Sequence, residues 1–122
     1  MTLDLVSDTS VYLPTLERRL AQLEGAPCDL VPYNAGVDPH EGCDVGGLRD
    51  MTRGILAARE AAVFAWARSR GLRIAFVTAG GYKGSALTQD ELVALHRLTI
   101  RAAAQVASQW KRADGPVGLI PS

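Results

Sequence analysis

A chain of 122 residues is long enough for one domain that buries a core of its own. Its 13 basic and 13 acidic residues balance and are interspersed, so neither a basic face for nucleic acid nor a polybasic run for anionic lipid is expected. No apolar stretch approaches the ~18 residues of a membrane helix, and Met1-Thr2-Leu3-Asp4 has neither the basic nor the apolar region of an export signal, which points to a cytoplasmic protein with a small or neutral partner.

Leu3-Asp4-Leu5-Val6 alternates like a short edge strand. Leu13, Leu16, Leu20 and Leu23 then fall on one helical face, with Ser10 as N-cap and Gly25 where a left-handed C-cap belongs, so a first helix is expected over residues 10–24. Cys28 reads as a small core residue; it and Cys43 lack metal-ligand spacing, and the absence of an export signal disfavours a disulfide. Asp29–Asn34 is a short strand in which Pro32, having no N–H to give a ladder, marks an edge or a bulge.

From Gly36 to Arg49 the chain is rich in Gly, Asp and Pro without periodicity, and longer than a plain connector. A second helix begins near Asp50. Met51, Ile55, Ala58, Ala62, Val63 and Trp66 form its apolar stripe, Arg53, Arg59, Glu60 and Arg68 its wet side, and Gly71 its stop. Arg73–Thr78 is a second strand, so strand, helix and strand make a βαβ unit with a parallel sheet. Thr88-Gln89-Asp90-Glu91 is a capping box opening a third helix, with Leu92, Leu95, Thr99, Ala103 and Val106 inward. Residues 111–122, with Gly115, Pro116, Gly118 and Pro121, read as a loose tail, leaving 1–110 as the domain.

Loops at the carboxyl ends of parallel strands converge on the ligand crevice of an open α/β sheet. The first strand ends in Asn34-Ala35-Gly36-Val37-Asp38-Pro39-His40-Glu41 and the second in Ala79-Gly80-Gly81-Tyr82, which sends Asp38 and Tyr82 to the same edge. Taken alone, Asp38 before Pro39 is a turn acid and Tyr82 a surface aromatic in a glycine turn. Gly80-Gly81-Tyr82-Lys83-Gly84-Ser85 does not have P-loop spacing.

Tyr33 to Glu41, Val45-Gly46-Gly47-Leu48, the helix ending Phe64 to Gly71, and Ala79-Gly80-Gly81-Tyr82 together resemble the zinc-dependent deacetylase superfamily of histone deacetylases, acetylpolyamine amidohydrolases and acetoin-utilisation proteins. The resemblance runs over roughly residues 3 to 104 and to the later part of such a domain only, so it implies a truncated, partial three-layer α/β/α fold with a parallel sheet, of the arginase and deacetylase kind. It implies that Asp38 is one of the two aspartates that hold the catalytic zinc with one histidine. It implies that the Tyr82 hydroxyl bonds the acyl oxygen of an acetylated amine or lysine substrate, with Gly80 and Gly81 allowing close approach of that substrate. Cys43, with Asp44 beside it, stands where many relatives carry an acid.

His40 gives Asp38-Pro39-His40 the form Asp-x-His, which the superfamily uses for its other two ligands, but its flanks match the later motif and two ligands are too few for zinc. His40 is therefore read as lining the pocket rim or packing against the loop rather than as a ligand, and His96 as a partly buried helix residue. The histidine pair and the Asp-x-His motif expected upstream are not among these residues, so the chain alone is expected to hold an incomplete zinc site and to hydrolyse nothing at a useful rate. Two readings follow. One is the C-terminal segment of an amide hydrolase that needs a missing N-terminal half; the other is a non-catalytic truncated module for binding or oligomerisation. Either predicts a partner, the other half or a homo-oligomer, because so small a parallel sheet leaves a face and an edge uncovered.

Overall fold

The computed structural model describes residues 3–114 apart from Glu24 and Ala26. A 3₁₀ turn at Thr9–Val11 leads into α1 (Tyr12–Gln22), followed by β1 (Leu30–Asn34), α2 (Arg53–Ser69), β2 (Arg73–Val77) and α3 (Gln89–Asp114). The chain is thus mixed α/β, with three α-helices and a two-stranded sheet whose strands run parallel, from Leu30 opposite Arg73 to Asn34 opposite Val77. Among the described residues no helix is long and apolar enough to cross a membrane.

Leu3–Val6 does not form the expected edge strand. Alternation supplies a pattern but not a partner, and Leu3 and Leu5 stand exposed. Asp4 instead ties the segment to α1 through Arg19 and, at 3.5 Å, Arg18. Asp8 rather than Ser10 caps the helix entry, its carboxylate accepting from the Ser10 N–H at 2.9 Å and the Ser10 hydroxyl at 2.8 Å. Pro14 falls in the first turn of α1, where a missing N–H costs nothing. Beyond the helix Gly25 takes a φ of +81°, as a left-handed cap requires.

One face of the sheet is covered by α2. Phe64, 2% exposed, stands edge-on to both Tyr33 and Phe76, with ring centroids 5.9 and 5.6 Å away, and those two are register partners. On the opposite face Leu30, Pro32, Asn34, Arg73, Ala75 and Val77 are all exposed. Pro32 sits where the sequence allowed it. The Ala35 N–H bonds the Val77 carbonyl at 3.1 Å, so by alternation Val31 and Tyr33 also face β2 and the absent N–H of Pro32 falls on the outer rim of β1. Cys28 is exposed, its thiol donating to the Leu30 carbonyl at 3.0 Å, and is not the core residue expected.

The start of α2 is Arg53 rather than Asp50. Asp50 is left-handed at φ +64°, and Thr52 caps the helix by accepting from the Ile55 N–H at 3.3 Å. The inward residues of α2 are Leu56, Arg59, Glu60, Val63, Phe64 and Ala67. Arg59 and Glu60 are therefore buried rather than wet, and Ala58 is exposed, because α2 is flanked by α1, α3 and the sheet together. At α3 the capping box forms as expected, the Thr88 N–H donating to Glu91 Oε2 at 2.7 Å and the Glu91 N–H to Thr88 Oγ1 at 3.2 Å. The helix continues to Asp114, into the stretch read as a tail; residues 115–122 lie outside the described residues.

The main apolar cluster joins Val37, Cys43, Met51, Leu56, Leu87 and Leu95. Four of these come from loops, so the segments leaving the strands are fastened into the core rather than draped over it.

Candidate functional site

Both loops leave the carboxyl ends of adjacent parallel strands, the first running from Ala35 to Thr52 and the second from Thr78 to Thr88. Ala35 and Val37 are buried at 0% and 1% exposure and lead the first loop under the second. Asp38 then rises half-buried, and its Oδ1 accepts the Gly81 N–H. Gly80 and Gly81 have φ of +68° and +78°. A Cβ on Gly80 would fall within the Asp38 carboxylate, and one on Gly81 would strike Val37 and come within 2.8 Å of Leu92 Cδ1. The pair are glycines because the first loop leaves no room for more.

Three of the residues singled out in the sequence, Asp38, Gly80 and Gly81, are thus in mutual contact. Tyr82 follows directly in the same loop and is 61% exposed. Its backbone N–H bonds the Cys43 sulfur, and the Cys43 thiol donates to the Val37 carbonyl at 3.6 Å. Burial pushes the Cys43 thiol above its ordinary range, with Asp38 and Asp44 adding to the rise and the Tyr82 N–H opposing it. A neutral thiol here bridges the two loops.

Of the two histidines, His40 lies apart from that contact and His96 borders it beside Gly81. His40 Nδ1 accepts the Gly42 N–H at 3.0 Å, and the ring lines a separate cleft of 280 Å³ with Arg53 and Glu91. His96 is half-buried on α3, with Nε2 3.8 Å from where a Gly81 Cβ would be and Nδ1 buried with no hydrogen-bond partner among the described residues. Among the described residues no three of His, Cys, Asp and Glu gather as a metal-binding group. Asp38 offers one carboxylate, engaged on one oxygen by the Gly81 N–H.

Beneath the first loop lies a polar network that the sequence reading missed. Arg59 Nη1 donates to the Gly36 carbonyl at 2.7 Å and to the Tyr12 hydroxyl at 3.4 Å, while Nε donates to Glu60 Oε1 at 2.8 Å. The Tyr33 hydroxyl donates to Glu60 Oε2 at 3.0 Å, and the guanidinium lies 6.0 Å from the centre of the Tyr33 ring. Burial raises the Tyr33 hydroxyl well above the tyrosine range; Arg59 opposes the rise and Glu60 reinforces it. Burial also works against the Arg59 charge, but Tyr33, Glu60 and Tyr12 outweigh it and hold the guanidinium protonated. A signal was present: Leu56, Val63, Phe64 and Ala67 mark a helical stripe that passes straight through positions 59 and 60.

Compared with models of known protein families, the chain matches none.

Proposed function

We propose that the chain is the C-terminal portion of a zinc-dependent deacetylase-like domain, part of a three-layer α/β/α fold, acting in the cytoplasm on acetyl-lysine or another acetylated amine. The observation that carries the reading is the seat of Asp38, a carboxylate held at the carboxyl edge of a parallel strand pair against a glycine turn that runs directly into Tyr82. In this reading Asp38 is one zinc ligand, Gly80 and Gly81 give the substrate a wall without side chains, and Tyr82 donates its hydroxyl to the acyl oxygen as charge develops there. Zinc, when bound, supplies the Lewis acid for amide hydrolysis. The other ligands and the proton-handling histidines would come from another segment or another chain.

Titration of the chain with zinc, with and without Asp38→Ala, tests the reading beside an assay on an acetyl-lysine reporter. Weak zinc binding that the substitution removes, and no appreciable turnover by this chain alone, are the expected results. Zinc binding indifferent to Asp38→Ala overturns the assignment of Asp38. Robust turnover abolished by Asp38→Ala overturns the incomplete site and promotes His40 to ligand.

One observation favours a second reading, a non-catalytic module that binds a partner or its own copy. Leu30 and Val77 are 52% and 58% exposed on the uncovered sheet face, whereas parallel sheets are ordinarily covered on both. Sedimentation at micromolar concentration of the parent chain beside Val77→Asp tests whether that face carries a contact: self-association that the substitution removes supports the module, and self-association indifferent to it takes this support away.

A further inference from the structure

A guanidinium is a costly group to bury, and a helix position facing a core is filled at least as well by an apolar side chain of similar size. Yet α2 places Arg59 inward, with its side chain 6% exposed beside a Glu60 that is 1% exposed. Two of the four Arg59 hydrogen bonds, from Nε and Nη2, go to Glu60, its neighbour on the same helix. The fork reaches away from its own helix through Nη1, to the Tyr12 hydroxyl and, in the shorter bond at 2.7 Å, to the Gly36 carbonyl.

Gly36 is the point at which the parts of the candidate site meet. It precedes Asp38 by two residues, and a Cβ built on it would lie 3.2 Å from the Ala79 carbonyl oxygen and 3.6 Å from Asp38 Oδ2. The Gly36 residue thus packs beside both the Ala79 carbonyl of the second loop and the Asp38 carboxylate, so its placement bears on where that carboxylate stands. The Gly36 carbonyl points to the helix, and the Arg59 guanidinium is what receives it.

We propose that Arg59 is the positioning residue for Asp38: its guanidinium pins the Gly36 carbonyl and so carries the carboxylate to the Gly80–Gly81 turn. Glu60 and Tyr33 set the guanidinium at the required height, Glu60 through its carboxylate and Tyr33 by bonding the far oxygen of that carboxylate. A charge-bearing planar fork does here what an apolar residue cannot, since it fixes a backbone oxygen in direction as well as distance. The significance of the device rests on the reading of Asp38 as a functional carboxylate, but the device itself is tested without metal or substrate.

Amide hydrogen exchange followed by NMR on the full chain reads it directly. The Gly81 amide reports the bond to Asp38, and the Ala35 amide, bonded to Val77, reports the neighbouring end of the sheet. The double variant Arg59→Met/Glu60→Met removes both charges together and leaves no buried carboxylate without a counterion. Gly81 exchange in it is expected to rise by about tenfold or more, with Ala35 changed by less than about twofold, and Arg59→Lys to give an intermediate rise at Gly81, because an ammonium reaches the carbonyl without the fork. Should the double variant fail to fold, Arg59→Lys carries the test alone by the same comparison of the two amides. Gly81 protected as in the parent chain, or Gly81 and Ala35 loosened equally, overturns the proposal. Loss of zinc binding at Asp38 as a functional reading would leave this exchange pattern untouched, so the two failures are distinguishable.

Discussion

Replacing Gly80 with alanine puts a methyl group where the Asp38 carboxylate lies, at a backbone angle of +68° that favours glycine. The left-handed conformation costs an alanine about 1–2 kcal/mol. Displacing the carboxylate breaks its hydrogen bond from the Gly81 N–H, and a bond to a charged group contributes about 1.5–3 kcal/mol. Gly80→Ala alone should therefore destabilise by about 2.5–5 kcal/mol. Asp38→Ala should cost the hydrogen bond only, about 1.5–3 kcal/mol. In the double variant there is no carboxylate left to displace, so Gly80→Ala adds only the backbone cost, and the two effects fall short of additivity by about 1.5–3 kcal/mol. Urea unfolding of the four chains, extrapolated to water, measures that coupling. Costs that add within about 0.5 kcal/mol, the ordinary result for independent sites, would show that Gly80 and Asp38 do not touch.

Three further outcomes are expected. The folded-state pKa of Tyr33 is raised, so its contribution is complete below the unfolded tyrosine value of about 10 and is lost as pH rises from there toward the folded value; urea midpoints should fall above about pH 10, and Tyr33→Phe should flatten that fall. Thr99 is fully buried with its hydroxyl unpartnered among the described residues, so Thr99→Val should stabilise by about 1 kcal/mol and lift the thermal midpoint by several degrees; a lowered midpoint would reveal a bonded hydroxyl. Thr88→Ala removes the acceptor for the Glu91 N–H and should cost about 1 kcal/mol by urea unfolding; no change would mean that the cap contributes nothing.

Backbone logic was the readable part of this sequence. Two β-rich runs separated by a helix gave a parallel pair, and parallel geometry alone brought Asp38 and the glycines before Tyr82 to one edge. Thr88 and Glu91 found each other because a capping box depends on residues three apart and on little else. Whatever depended on the surroundings of an element was harder to read. Arg59 and Glu60 looked wet because they are charged, and only a helix packed on several sides, with Tyr12, Tyr33 and Gly36 supplying partners, makes their burial sensible. Leu3 to Val6 alternates but meets no strand among the described residues, and Cys28, apolar in type, stands exposed just ahead of β1 with its thiol on the Leu30 carbonyl.

The proline in β1 gives the small sheet a polarity. Along the outer rim of β1 only Leu30 and Asn34 can offer an N–H, about 13 Å apart at the usual strand rise, with a donor missing midway between them. The outer rim of β2 has no such gap, since Ile74 and Phe76 turn both N–H and C=O away from β1. A strand arriving from elsewhere would therefore find a complete ladder on one side and a broken one on the other. Two copies meeting β1 to β1 would set their broken ladders against each other, whereas extension through β2 keeps every bond. Enlargement of this sheet is directional, and a single imino acid sets the direction.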